Sequence, residues 1–141
     1  MTVTEYLGQA YKLDERIQSH LEELSSLRET ATGLSSPAFG ERVQSSASGE
    51  AAFVKAIERI IQFEDKINAE IDLLVALKEQ THETIATVED PREKMILRSR
   101  YIDGKSEKYI AAVLDVDVRT ARRLHKRALE HVVLPENPII V

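Results

Sequence analysis

Residues 115–129 read DVDVRTARRLHKRAL, and five of these positions are basic: Arg119, Arg122, Arg123, Lys126 and Arg127. The 141-residue chain as a whole carries a formal charge of −5. A basic segment on an acidic protein is either a solvated face or a surface built for a polyanion. Its internal spacing separates the two. Asp117 is a good N-cap, so a helix is expected from Val118 to about His131. Ala121, Leu124, Ala128 and Leu129 then fall on an inner side. Val118, Arg119, Arg122, Arg123 and Lys126 turn outward.

Working upstream, SEKYIAAVL gives a short helix with Ile110, Ala111 and Leu114 facing inward and Ser106 as its cap. DVD is a tight corner that Val116 plugs, and the small Ala111 lets the next helix approach closely. Before it, DGKS is a turn in which Gly104 takes the awkward dihedral. VEDPREK opens another helix, ending near Tyr101 or Ile102. There Asp90 caps, Pro91 takes the first helical position, and Glu93 stands where a capping box would use it. Two short helices joined by a three- or four-residue turn, the second one basic, are the outline of a helix-turn-helix.

The charge is divided in the same place. Residues 1–89 hold eight Lys/Arg against sixteen Asp/Glu, a net of −8, and residues 90–141 hold eleven against eight, a net of +3. Such asymmetry is expected when one part meets DNA and the other does not. Arg119 and Arg122, with Val118, are assigned to base edges, where arginine can bond guanine bidentately. Arg123, Lys126 and Arg127 are assigned to phosphates, and Lys105 and Lys108 to further backbone contacts.

The acidic part is also helical in pattern. Tyr6, Ala10, Leu13, Ile17, Leu24 and Leu27 make a narrow stripe, with His20 in its polar slot, which predicts a helix from about Thr4 to Glu29. Ile57, Ile60, Ile67, Ile71, Leu74, Ile85 and Val88, widened by Ile61, Phe63 and Leu77, predict a second from about Ala51 to Val88. Residues 32–50 between them, rich in Ser and Gly, read as a flexible linker. The two stripes can pair within one chain, as an antiparallel hairpin, or between chains, and a dimer is the favoured homo-oligomer. VVLPENPIIV, residues 132–141, ends the chain, with an extended tail over 133–141 that packs on something or stays loose.

Several classes of function are excluded. There is no cysteine, hence no disulfide, thiolate nucleophile or Cys-based zinc site. No apolar run is long enough for a membrane span, and the N-terminus lacks the pattern of a signal peptide, so a cytoplasmic location is expected. Glu79 and His82 form a lone Glu-x-x-His, without the second pair and extra carboxylates a di-iron site needs. No nucleophile stands at a recognisable spacing from a base, and no phosphate loop is present. Neither an enzyme nor a cofactor is expected.

The stretch LRSRYIDGKSEKYIAAVLDVDVRTARRLHKRAL resembles the fourth region of bacterial sigma factors, which reads the −35 promoter element. The resemblance runs from Asp90 to about Val132 and is carried by Arg100, Tyr101, Gly104, Ile110, Ala111, Leu114, Val116, Arg122, Ala128 and Leu129. Asp115 stands where the turn usually has Gly, and Ala121 where Val is usual. The whole layout is similar to phage-encoded late transcription regulators of the ArpU and RinA kind. The acidic helices do not look like the sigma region that melts the −10 element, so the resemblance implies a regulator and not a sigma factor.

The expectation is therefore an all-α protein. A helical hairpin or coiled coil over 1–89 precedes a sigma-region-four-like helix-turn-helix over 90–132. It would bind double-stranded DNA specifically and regulate transcription, with its acidic part setting oligomer geometry or touching RNA polymerase. The competing readings are a small-terminase-like DNA-packaging protein and a helical interaction module without specific DNA binding.

Overall fold

The computed structural model describes residues 1–34 and 46–141. Among these the chain forms five helices and no strand: α1 (Val3–Leu34), α2 (Ser46–Ala86), α3 (Pro91–Tyr101), α4 (Glu107–Leu114) and α5 (Val118–Glu130). The all-α expectation holds. Both long helices reach further into the expected linker than the apolar stripes do, because helix continues wherever no proline or cap stops it. The remainder of that linker, residues 35–45, lies outside the described residues.

Two compact units are present. In the unit Glu15–Asp72, α1 and α2 run antiparallel. Arg16 and His20 meet Glu70 at 3.0 and 2.6 Å, and Arg28 meets Glu64 at 2.7 Å, so positions rising along α1 pair with positions falling along α2. The pairing left open by the stripes is thus made within the chain. Leu24, Ala31, Ile60 and Ile67 form its core, with Leu27, Ala56 and Phe63 packed against them. His20 fills its polar slot by bonding Glu70 and setting its ring edge-on to Phe63 at 5.5 Å.

Not every residue of the second stripe joins this seam. Ile57, Ile61 and Ile71 are exposed at 36, 52 and 39%. Among the described residues α2 meets α1 alone here, and one helix covers only one side of another; Ile60, Phe63 and Ile67 take the inward positions.

The second unit comprises Met1–Asp14 and Leu73–Val141. α1 opens on a reciprocal cap. Glu5 Oε2 accepts from the Thr2 N–H at 2.8 Å, and Thr2 Oγ1 accepts from the Glu5 N–H at 3.1 Å. The Thr2 backbone N–H, with the Thr2 side chain adding to it, holds the Glu5 carboxyl below the usual range. α2 ends with Thr81 and Thr84 buried, each hydroxyl donating at 2.8 Å to the carbonyl four residues back.

The C-terminal tail is packed and not loose. Gln9 donates to Ile139 O and accepts from Val141 N–H, while Gln80 donates to Asn137 O and accepts from Ile139 N–H, all at 2.8–2.9 Å. Two side-chain amides thereby take the place of a neighbouring strand for an extended segment. The Tyr6 hydroxyl holds the Gln80 amide in place by donating to its Oε1 at 2.8 Å.

Candidate nucleic-acid interface

The three short helices are set by local chemistry. Asp90 caps α3 by accepting from the Arg92 N–H at 2.8 Å, with Pro91 in the first turn. The expected capping box does not form. Glu93 points inward, 1% exposed, with Oε2 2.7 Å from His131 Nδ1 and Oε1 3.5 Å from Arg127 Nε. The Arg127 guanidinium on α5 and the His131 imidazole at its C-cap draw this carboxylate away from the Asp90 N–H. Oε1 itself has no hydrogen-bond partner.

Gly104 supplies a positive φ of 66° after α3, and Ser106 caps α4 by accepting from the Tyr109 N–H at 3.2 Å. α4 ends in a Schellman arrangement. Asp115 adopts φ 57°, its N–H donating to Ala112 O and the Val116 N–H to Ala111 O. Asp117 then caps α5 through the Thr120 N–H at 2.8 Å, and the Thr120 side chain, with this backbone bond, lowers its pKa. The turn between the two helices is Asp115–Asp117, the three residues expected.

α5 packs on both α3 and α4. Ile96, Ile110 and Leu124 form the centre, with Leu114 against them; Ala111, Ala121 and Ala128 are also buried. Leu129, expected inside, is half-buried, as is Val118, expected outside. The remaining basic residues of α5 stand on the opposite side. At 3.6 residues per turn, Arg119, Arg122, Arg123 and Lys126 fall within a sector of about 100°. All four are exposed.

The assigned residues differ in what restrains them. Arg122 donates from Nε to Glu107 Oε2 at 2.7 Å, which draws the Glu107 pKa down. Arg127 lies on the flank, its Nε toward Glu93. Among the described residues no hydrogen bond holds Arg119, Arg123 or Lys126. Lys105 sits over the Tyr109 ring at 5.0 Å, and Lys108 is exposed on the same helix.

Three groups escaped the sequence reading: Glu107, the pair Tyr101 and His125, and Glu93 as a partner of α5. Their partners are 15 to 38 residues away, beyond any helical periodicity. The Tyr101 hydroxyl lies 2.7 Å from His125 Nε2. Burial lowers the His125 pKa, with the nearby Arg100 charge adding to it, and burial raises that of Tyr101. Both side chains are thus held neutral.

A capped three-helix unit with a three-residue turn and a basic second helix defines a helix-turn-helix DNA-binding domain. Residues 90–132 match the family described as Sigma-70, region 4. No curated protein and no solved structure matches the chain. The match covers about the last third of the chain, and the family it names is one of DNA-binding domains. Among the described residues no helix is long and apolar enough to cross a membrane, and no three His, Asp or Glu side chains are grouped to hold a metal ion.

Proposed function

We propose that the chain is a sequence-specific transcription regulator, of phage or prophage genes, that inserts α5 into the DNA major groove. The observation that carries this reading is the division of α5. One side is buried by Ala121, Leu124 and Ala128, and the other presents Arg119, Arg122, Arg123 and Lys126 to solvent. Arg119, Arg122 and Val118 would reach base edges. Arg123, Lys126 and Arg127, with Lys105 and Lys108, would hold phosphates. The half-burial of Val118 gives it a smaller part than the two arginines.

In this reading residues 90–132 contact DNA, and residues 1–89 set the subunit arrangement or meet RNA polymerase. Self-association draws support from α2, which leaves Val54, Ile57 and Ile61 exposed at helical spacing. A two-fold pair would read half-sites about 34 Å apart or a multiple of that.

The test is selection of bound fragments from a random double-stranded DNA pool at physiological salt, using the full chain. Enrichment of a defined motif is expected, two-fold symmetric if the chain pairs. Retention of all sequences alike, and only at low salt, would sink the reading. Lys126→Ala should weaken every sequence and reduce the salt slope by about one phosphate contact, leaving the motif unchanged.

A further inference from the structure

The contact between Glu107 and Arg122 joins the first turn of α4 to the exposed side of α5. Its geometry is specific: Arg122 gives its Nε–H to Glu107 Oε2 at 2.7 Å. A guanidinium carries five N–H donors in a rigid fork, so a bond at Nε leaves the four on Nη1 and Nη2 for a ligand. Two modes of recognising a guanine are open to a free arginine, from the side through Nε and one Nη, or end-on through both Nη. With Nε occupied, only the second remains.

Stabilising the fold is not what this pair is suited to. Arg122 is 66% exposed, and an exposed ion pair adds little to stability. What it does is remove rotamer freedom from a long side chain that would otherwise lose it on binding. A carboxylate beside the guanidinium also repels phosphate, which disfavours the use of Arg122 as a non-specific anchor. Arg119, Arg123 and Lys126 show no such bond among the described residues, and Arg127 lies on the flank toward Glu93, so on the outward sector of α5 the restraint is particular to Arg122.

We infer that Glu107 is a positioning residue: it holds Arg122 by Nε so that the Nη1–Nη2 end meets O6 and N7 of a guanine in the major groove, fixing the preference for a G·C pair at one position of the site. This rests on the DNA reading proposed above. It adds that Glu107, which need not touch DNA, determines specificity. It also divides the arginines of α5 into one that is pre-set and others that adapt.

The experiment compares wild type, Arg122→Ala, Glu107→Ala, Glu107→Gln and the double variant Glu107→Ala/Arg122→Ala. Each full chain is taken through the same random-pool selection, with thermal melts as a control on folding. Arg122→Ala should erase the guanine preference at one position, a loss of roughly tenfold to a hundredfold in discrimination. Glu107→Ala should weaken that same preference by roughly two- to tenfold, the freedom of one released side chain. Glu107→Gln should restore most of it, since an amide oxygen still accepts from Nε. In the double variant the Glu107 change should add nothing at that position.

Charge removal alone predicts otherwise. If Glu107→Ala and Glu107→Gln raise the affinity for all sequences alike and leave every base preference intact, the positioning role is wrong. It is equally wrong if Arg122→Ala alters no base preference in a motif that wild type does select. Should wild type select no motif at all, the proposed function falls, and this inference falls with it.

Discussion

Glu93 offers the sharpest test of how the helix-turn-helix holds together. Truncation to alanine removes a bond from a buried carboxylate to His131 at 2.7 Å and the nearby Arg127 contact at 3.5 Å. A hydrogen bond to a charged group contributes about 1.5–3 kcal/mol, and burial of the one methylene lost about 0.8 kcal/mol. Against this stands the desolvation of the carboxylate, one of whose oxygens is unbonded. The side chains of His131 and Arg127 are 51 and 64% exposed, so both regain water when Glu93 is lost and neither is stranded. The net for Glu93→Ala is therefore about 2–3 kcal/mol, below the cost of breaking a fully buried pair. Glu93→Gln keeps the volume and an acceptor and should cost about 1 kcal/mol.

Urea unfolding of the full chain reads these values as shifts in midpoint at constant slope. The decisive measurement is the double-mutant cycle of Glu93→Ala with His131→Ala, for which a coupling of about 1 kcal/mol is expected. A Glu93 that closed a capping box at Asp90 would be indifferent to His131. Strict additivity of the two substitutions would therefore refute the inward-pointing geometry.

Three further outcomes follow from particular residues. Asp115 holds φ 57°, so Asp115→Gly should stabilise the domain by up to about 1 kcal/mol and Asp115→Ala destabilise it, read by thermal melts; equal effects would show the turn is not left-handed there. The imidazole of His125 is held below its ordinary pKa of about 6.5, so on acidification the unfolded chain takes the proton first. Stability should fall as the pH drops through about 6.5 and stop falling once the folded imidazole is protonated too; His125→Gln should flatten that part of the profile, and an unchanged profile would contradict the assignment. At the tail, Gln9→Ala should speed amide exchange at Val141 and Gln80→Ala at Ile139, each roughly tenfold; exchange unaltered at both positions would mean the two amides do not hold the segment.

What the sequence disclosed about this fold divides along the range of the interactions. Asp90, Ser106 and Asp117 were readable as caps because a cap joins a side chain to a backbone N–H two or three residues on. The turn at Asp115 was readable for the same reason, its bonds spanning three and five residues. Even local patterns competed, however. Thr2 with Glu5 and Asp90 with Glu93 share the spacing of a capping box, yet only the first pair closes one, because Glu93 finds His131 38 residues away. The apolar stripes identified α1 and α2 but could not say which isoleucines of α2 meet α1. That choice depends on the angle at which the helices face each other, and it leaves Ile57 and Ile61 outside while Ile60 and Ile67 are buried. The basic residues of the candidate interface were visible one by one. The restraint on Arg122 was not, since it runs between two helices.

The distribution of these restraints has a consequence for how the domain can change. The packing of α5 rests on Ala121, Leu124 and Ala128, and its anchoring at the C-terminal end on Arg127 and His131 around Glu93. Arg119, Arg123 and Lys126 contribute to neither. Substitutions at these three positions should therefore leave the melting temperature nearly unchanged, as is usual for exposed sites without partners, while altering affinity for DNA. Arg122 stands between the two groups: its loss frees Glu107 at little structural cost but, in the proposed reading, removes the one base-reading side chain whose geometry is fixed in advance. In the proposed reading, stability and DNA recognition draw on different sides of a thirteen-residue helix. The binding preference of such a helix can be altered without first rebuilding the fold that carries it, provided the Glu107–Arg122 contact is treated as part of the reading surface.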